Sequence, residues 1–166
     1  MNGSQVNQGI EAESTIILNG GFSLYLNGTV GSAKYDTGLW VAGAPKDTET
    51  LGIIYKQGSW NTSLLSKRVG KMYNDGTNAA GTTVNQAFNI DPVVITNLFV
   101  NYTIKSPTNF AKQAKIQFAI NNLLNNHSIV GVAGPVKASS SATPNVADLL
   151  TITPARSASL TLKLDF

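Results

Sequence analysis

Apolar and polar positions alternate along most of the chain and hold their phase over long stretches. From Val6 to Leu18, Ile10, Ala12, Ser14, Ile16 and Leu18 share one parity, while Gly9, Glu11, Glu13 and Thr15 take the other. That period of two predicts a strand with one apolar face. Asn19-Gly-Gly21 then supplies a tight turn into Phe22–Tyr35, where Phe22, Leu24, Leu26 and Val30 are in phase. A longer polar connection, Asp36–Glu49, leads to a third strand over Thr50–Trp60 with Leu51, Ile53 and Tyr55 in phase, and Asn61-Thr62 is the expected next turn. Ser63–Tyr73 alternates least cleanly, because Lys67 and Arg68 are adjacent and must take opposite faces. Beyond the loop Asn74–Pro92, Val93–Ile104 is the sharpest strand, with Leu98, Val100, Tyr102 and Ile104 against Asn97, Asn101 and Thr103. Ser106–Gln113 turns the chain into Ala114–Leu124, which sets Ile116, Phe118 and Ile120 against Lys115, Gln117 and Asn121. After the longest loop, Asn125–Asp148, a final strand runs from Leu149, interrupted near Pro154. It ends with Leu160, Leu162, Leu164 and Phe166 opposite Thr161, Lys163 and Asp165.

These segments predict an all-β fold, an antiparallel up-and-down meander of about seven long strands. Strands of ten or more residues exceed the five or six usual in globular proteins. Short turns alternate with long loops, so one end of the sheet is trimmed and the other elaborated. Each clear strand has one apolar face and one carrying Asn, Gln, Thr, Lys or Glu. Outer-membrane barrels share this design, with lipid-facing apolar positions and a polar lumen, so the meander is expected to be part of a transmembrane β-barrel. Tyr35, Tyr55, Trp60, Tyr73, Tyr102 and Phe166 fall near strand ends, where an aromatic girdle belongs. Two alternatives remain at this point: a self-contained small outer-membrane barrel closed by an additional strand, and a soluble β-sandwich binding module.

Composition narrows the function. The 166 residues make one domain's worth of chain, with net charge +3 and only 13% charged residues. The positive charge is too weak and scattered for a nucleic-acid surface, and no apolar run reaches the length of a transmembrane helix. Without cysteine there is neither a disulfide framework nor a thiolate metal site. His127 is the single histidine, so no metal site, Ser-His-Asp set or cofactor is expected. Gly70-Lys71 lacks the first glycine of a phosphate loop, since Leu65 stands there. Glu11 and Glu13 share one strand face, which suits wall charges better than acid–base chemistry. No catalytic residue emerges, and an enzyme is not expected.

Several stretches, in order, resemble a known family. They are Val6-Asn-Gln-Gly-Ile-Glu-Ala-Glu13, Ser32-Ala-Lys-Tyr35, Ala44-Pro-Lys46 through Leu51-Gly52 to Tyr55, and Val69-Gly-Lys-Met-Tyr73. Ile120-Asn-Asn-Leu-Leu-Asn125 and Pro154-Ala-Arg156 leading into Leu160-Thr-Leu-Lys-Leu-Asp-Phe166 are the most specific. Together, over nearly all of residues 1–166, they resemble the C-terminal barrel portion of TonB-dependent outer-membrane receptors, in the siderophore-receptor branch. No TonB box, plug domain or signal peptide is recognisable, so the chain is expected to be a fragment of such a receptor.

The resemblance implies a location in the outer membrane of a Gram-negative bacterium. It places the short turns in the periplasm and the three long loops outside. Trp40, Lys46 and His127 then become outer-loop candidates for binding a ferric siderophore-type ligand. Glu11, Glu13, Lys115, Gln117 and Arg156 would face the lumen and its plug, and Leu162, Leu164 and Phe166 would form a signal for the barrel-assembly machinery. The implied partners are outer-membrane lipid, that machinery, a plug domain and the TonB energy-coupling complex.

Overall fold

The computed structural model describes residues 4–36, 38–73, 89–106, 108, 110–133 and 148–166. The strands are β1 (Gln5–Ile17), β2 (Phe22–Tyr35), β3 (Asp47–Gln57), β4 (Trp60–Val69), β5 (Met72–Tyr73), β6 (Asn89–Ile90), β7 (Val93–Lys105), β8 (Gln113–Asn121), β9 (Ile129–Ala133), β10 (Leu149–Ile152) and β11 (Ser157–Asp165). Seven of them form one antiparallel sheet in the order β1-β2-β3-β4-β7-β8-β11, the expected meander. Two small hairpins, β5–β6 and β9–β10, extend its loop end.

Register gives the sheet its two faces. One row, Ile16–Leu24–Ile53–Leu64–Leu98–Ile120–Ala158, crosses all seven strands through direct cross-strand pairs. The row Lys56–Asn61–Asn101–Gln117–Thr161 crosses five strands on the other face. A one-residue slip would exchange the faces, so the alternation itself fixes the pairing. At the turn end of the apolar face, Phe22 packs on Tyr55 (centroids 4.8 Å apart) and Trp60 on Tyr102 (4.7 Å). At its loop end the apolar rows stop at Arg68, which bonds Asp47 and lies 3.5 Å from Glu49. Tyr35 and Tyr73 depart from the expected girdle. Tyr35 takes the polar-face parity, and Tyr73 belongs to β5 beyond the sheet.

Four expectations need correction. The second short turn is Gly58-Ser59, not Asn61-Thr62, because Gly58 supplies a positive φ of 58°. Trp60 therefore opens β4 opposite Gln57 instead of closing β3. β3 begins at Asp47, and the chain before it bridges back to β2 through Lys34 and Trp40, so the connection after Tyr35 is partly ordered against the sheet. The fourth strand ends at Val69, with Met72–Tyr73 paired instead to Asn89–Ile90. Finally, β8 stops at Asn121, and Leu149–Ile152 pairs with β9, so the interruption near Pro154 separates two sheets. Residues 74–88 and 134–147, most of two expected long loops, lie outside the described residues.

Among the described residues the sheet has no second layer. Among the described residues, the buried hydrophobic side chains are Ile90, Val93, Ala111 and Ala114, whereas Ile10 is 75% and Leu160 73% exposed. β1 and β11 occupy opposite edges and do not pair, so the described strands do not close on themselves. Neither a sandwich nor a self-closed barrel describes them.

The β1–β2 pair leaves no room for a side chain at one point. Gly9 and Gly31 are direct partners, and a Cβ at Gly31 would lie 2.7 Å from the Gln8 carbonyl oxygen. Gly31→Ala is expected to cost about 1–3 kcal/mol because backbone, not a flexible side chain, must yield. Gly28→Ala, whose Cβ would meet nothing nearer than the Thr48 oxygen at 3.8 Å, is the control. Urea titration of the folded protein reads the difference, and equal midpoints for the two variants would refute the close approach.

Candidate functional site

Two arrangements of polar side chains stand out, one lining the polar face and one at the loop end of the sheet, where Lys34 takes the apolar-face parity opposite Val6. On the face, neighbouring strands exchange side-chain hydrogen bonds, some between direct partners and some on the diagonal. Tyr25 donates to Glu13 at 3.1 Å, Asn27 to Glu11 at 3.3 Å and Gln117 to Asn101 at 2.8 Å. Thr29 and Thr48 hydroxyls lie 2.7 Å apart. Glu11, Glu13, Lys115 and Gln117 thus share the polar face expected for them, with Lys115 directly opposite Lys163.

At the loop end, three strand ends converge. The Lys46 amide donates to Lys71 O at 3.2 Å, Gly31 N to Lys46 O at 2.9 Å, and Gly43 N to Tyr73 O at 2.8 Å. Val41 N donates to Ala33 O at 2.9 Å beside the Lys34–Trp40 bridge. This backbone lattice gathers five side chains. Lys46 Nζ lies 5.0 Å from the Trp40 ring and 5.2 Å from the Tyr73 ring, and donates to the Tyr73 hydroxyl at 3.3 Å. Lys34 Nζ approaches Trp40 at 5.7 Å, Lys71 Nζ approaches Tyr73 at 5.8 Å, and the two rings are 6.4 Å apart. The negative ring faces offset part of the repulsion among the ammonium groups. None of the three lysines forms an ion pair among the described residues, so the cluster carries net positive charge.

Trp40 and Lys46 are therefore brought together, joined by Lys34, Lys71 and Tyr73, which sequence reasoning did not select. His127 is exposed in the segment before β9 and is not one of the five clustered side chains. Arg156 lies outside the seven-stranded ladder, before β11. Its amide donates to Asn125 Oδ1 at 3.0 Å and its guanidinium to Leu123 O at 3.4 Å, so it braces a chain junction. Leu162, Leu164 and Phe166 share the apolar parity and are exposed. Among the described residues no group of His, Asp or Glu could hold a metal ion.

Asn122 organises the same junction. It is 3% exposed at φ 51°. Its amide nitrogen donates to Asn126 O and Pro154 O (2.9 and 2.8 Å), while its Oδ1 accepts from Asn126 N at 2.9 Å. Its backbone N donates to Asn97 Oδ1 at 2.9 Å, tying the junction to β7.

A family profile described as "TonB dependent receptor-like, beta-barrel" matches residues 2–123. No curated protein matches the sequence. Among solved structures, the ferric yersiniabactin uptake receptor FyuA from Yersinia pestis is similar over 99% of this chain and 24% of its own, at 15% identity and TM-score 0.68. The ferric-catecholate import receptor Fiu from E. coli K12 is similar over 99% and 21%, at 16% identity and TM-score 0.65. FpvA from P. aeruginosa, solved with a heterologous pyoverdine and iron, covers 98% and 20%, at 17% identity and TM-score 0.65. These likenesses establish the fold. The chain spans less than a quarter of the length of each of these receptors.

Proposed function

Because the chain belongs to the TonB-dependent receptor-like β-barrel family, we propose that it is one section of a receptor's barrel wall. The whole protein then takes up a ferric siderophore or similar scarce ligand across the outer membrane of a Gram-negative bacterium. One observation carries the reading: a single sheet whose apolar face has no protein covering and whose polar face is laced by hydrogen bonds. Such a sheet needs lipid on one side and a polar lumen on the other. Its edges at β1 and β11 need neighbouring strands, because an unpaired backbone group in hydrocarbon costs several kcal/mol. The remaining wall strands of the receptor supply them.

In this reading the loop end lies outside the cell. Trp40 and Lys46, with Lys34, Lys71 and Tyr73, form an anion-attracting part of the ligand surface, and His127 contributes separately. Glu11, Glu13, Lys115 and Gln117 face a plug domain that the TonB complex pulls on. Leu162, Leu164 and Phe166 are read by the barrel-assembly machinery. The named ligands of FyuA and Fiu, both iron complexes, favour a ferric cargo.

The test is uptake of labelled ferric siderophores by cells carrying the complete receptor, alongside equilibrium binding to the purified protein. Lys46→Ala is expected to weaken binding about tenfold, the loss of roughly one charge-assisted contact. A receptor that folds in the membrane but binds no iron complex would overturn the cargo assignment. Unchanged affinity in Lys46→Ala would remove the loop-end cluster from the ligand surface.

A further inference from the structure

The tripeptide Leu-Asn-Gly occurs twice, as Leu18-Asn19-Gly20 and as Leu26-Asn27-Gly28, and the fold puts the two copies in opposite situations. Asn19-Gly20 lies in the turn between β1 and β2, where both residues are exposed. The ladder ends with Ile17 opposite Ser23, and Leu18 N closes it by donating to Phe22 O at 2.9 Å. A 3₁₀ turn leaves the amides of its first residues without an internal acceptor, and Gly20 is the second residue of the turn Asn19–Gly21. Neither turn nor ladder therefore engages Gly20 N. Gly20 (φ 72°) and Gly21 (φ 83°) can rearrange without breaking a ladder pair. Asn27-Gly28, in contrast, lies in mid-β2 with strands on both sides, Gly28 facing Ala12 of β1 and Glu49 of β3. Gly28 N is a ladder donor there, and the Asn27 carboxamide donates to Glu11 at 3.3 Å. A third Asn-Gly pair, Asn2-Gly3, lies outside the described residues.

We propose that Asn19 is a site of spontaneous deamidation, and that the sheet protects Asn27 although its immediate neighbours are the same. Gly20 N gives its proton to solvent base and attacks Cγ of the Asn19 side chain. The N–Cγ bond forms, the Cγ–Nδ2 bond breaks, and ammonia leaves with a proton returned from solvent, closing a succinimide. Water then opens that ring at either carbonyl, giving aspartate or isoaspartate. Water is the only co-reactant, and it reaches this exposed turn. A glycine after the asparagine obstructs the attack least, and the space beside Gly20 is open, since a Cβ there would meet only Phe22 Cδ2 at 3.9 Å. At Gly28 the same attack requires the amide to leave the ladder first, so the rate falls by the equilibrium constant of that local opening. Either product places a new carboxylate at the turn end of the sheet. The chemistry does not depend on the receptor reading.

Folded and urea-unfolded samples of the complete protein, incubated side by side in mildly alkaline buffer, test the assignment. Peptide mapping by mass spectrometry follows conversion at each asparagine. In the folded protein, Asn19 is expected to convert at least about tenfold faster than Asn27. In urea the two rates are expected to agree within about twofold, because the ladder that separates them is gone. Similar rates at the two sites in the folded protein overturn the proposal. So does a rate at Asn19 that folding suppresses as strongly as the rate at Asn27, since the turn would then be protected too. A rate difference that persists unchanged in urea also overturns it, by tracing the preference to the sequence and not to the fold.

Discussion

Leu64→Arg is expected to lower barrel stability by about 2–4 kcal/mol, the cost of a cation on the lipid face near the bilayer midplane. Leu64 lies midway along β4 between Trp60 at the turn end and Arg68 at the loop end, in the apolar row with Ile53 and Leu98. A guanidinium there is too far from either interface to reach water easily. Thr15→Arg is the matching control, since Thr15 pairs with Tyr25 on the polar face and is exposed. It should change stability by no more than about 0.5 kcal/mol, as exposed polar sites do. Reversible urea unfolding of the receptor in lipid vesicles separates the two. Equal losses in both variants would mean that the two faces do not meet different solvents.

The second large effect is expected at Asn122. Asn122→Leu removes three side-chain hydrogen bonds at a buried position and leaves Asn126 N and Pro154 O short of partners. It also places a branched side chain at a positive φ. A loss of about 3–5 kcal/mol follows from the unpaired groups and the left-handed backbone together. Asn122→Gly loses the same bonds without the backbone strain, and should fall between wild type and leucine. Proteolysis of the β9–β10 hairpin, followed beside the urea midpoint, shows whether the junction opens locally first. Wild-type behaviour in both variants would show that the network contributes no stability.

The seven-strand meander was legible because alternation survives in almost every strand. Phe22–Tyr35 is bounded in the structure as the residues predict. The misplaced turn shows where local chemistry competes. Asn61-Thr62 and Gly58-Ser59 both read as turns, and the positive φ at Gly58 together with the register that sets Trp60 opposite Tyr102 decides between them. The adjacent Lys67 and Arg68 blurred β4 because the apolar band ends there. Arg68 turns to Asp47 and Glu49 on one face, while Lys67 takes the other. The loop-end cluster was half visible. Trp40 and Lys46 stood out in a polar connection, but Lys34 and Lys71 come from other strand ends. Their convergence depends on the Lys34–Trp40 bridge and on the Lys46–Lys71 backbone bond. Sequence spacing encodes neither.

The order β1-β2-β3-β4-β7-β8-β11 has a kinetic corollary. Each strand of the large sheet pairs only with its predecessor and successor in that sheet, so the wall can zip up hairpin by hairpin at small loop-closure entropy. Under the proposed reading, the remaining contact would be a seam joining the edge strand β11 to a wall strand outside these seven, at a much greater sequence separation. Non-local pairings are the slow ones. Sealing that seam should therefore limit the rate of barrel formation, and shortening the connection over residues 122–156 should leave the overall rate nearly unchanged.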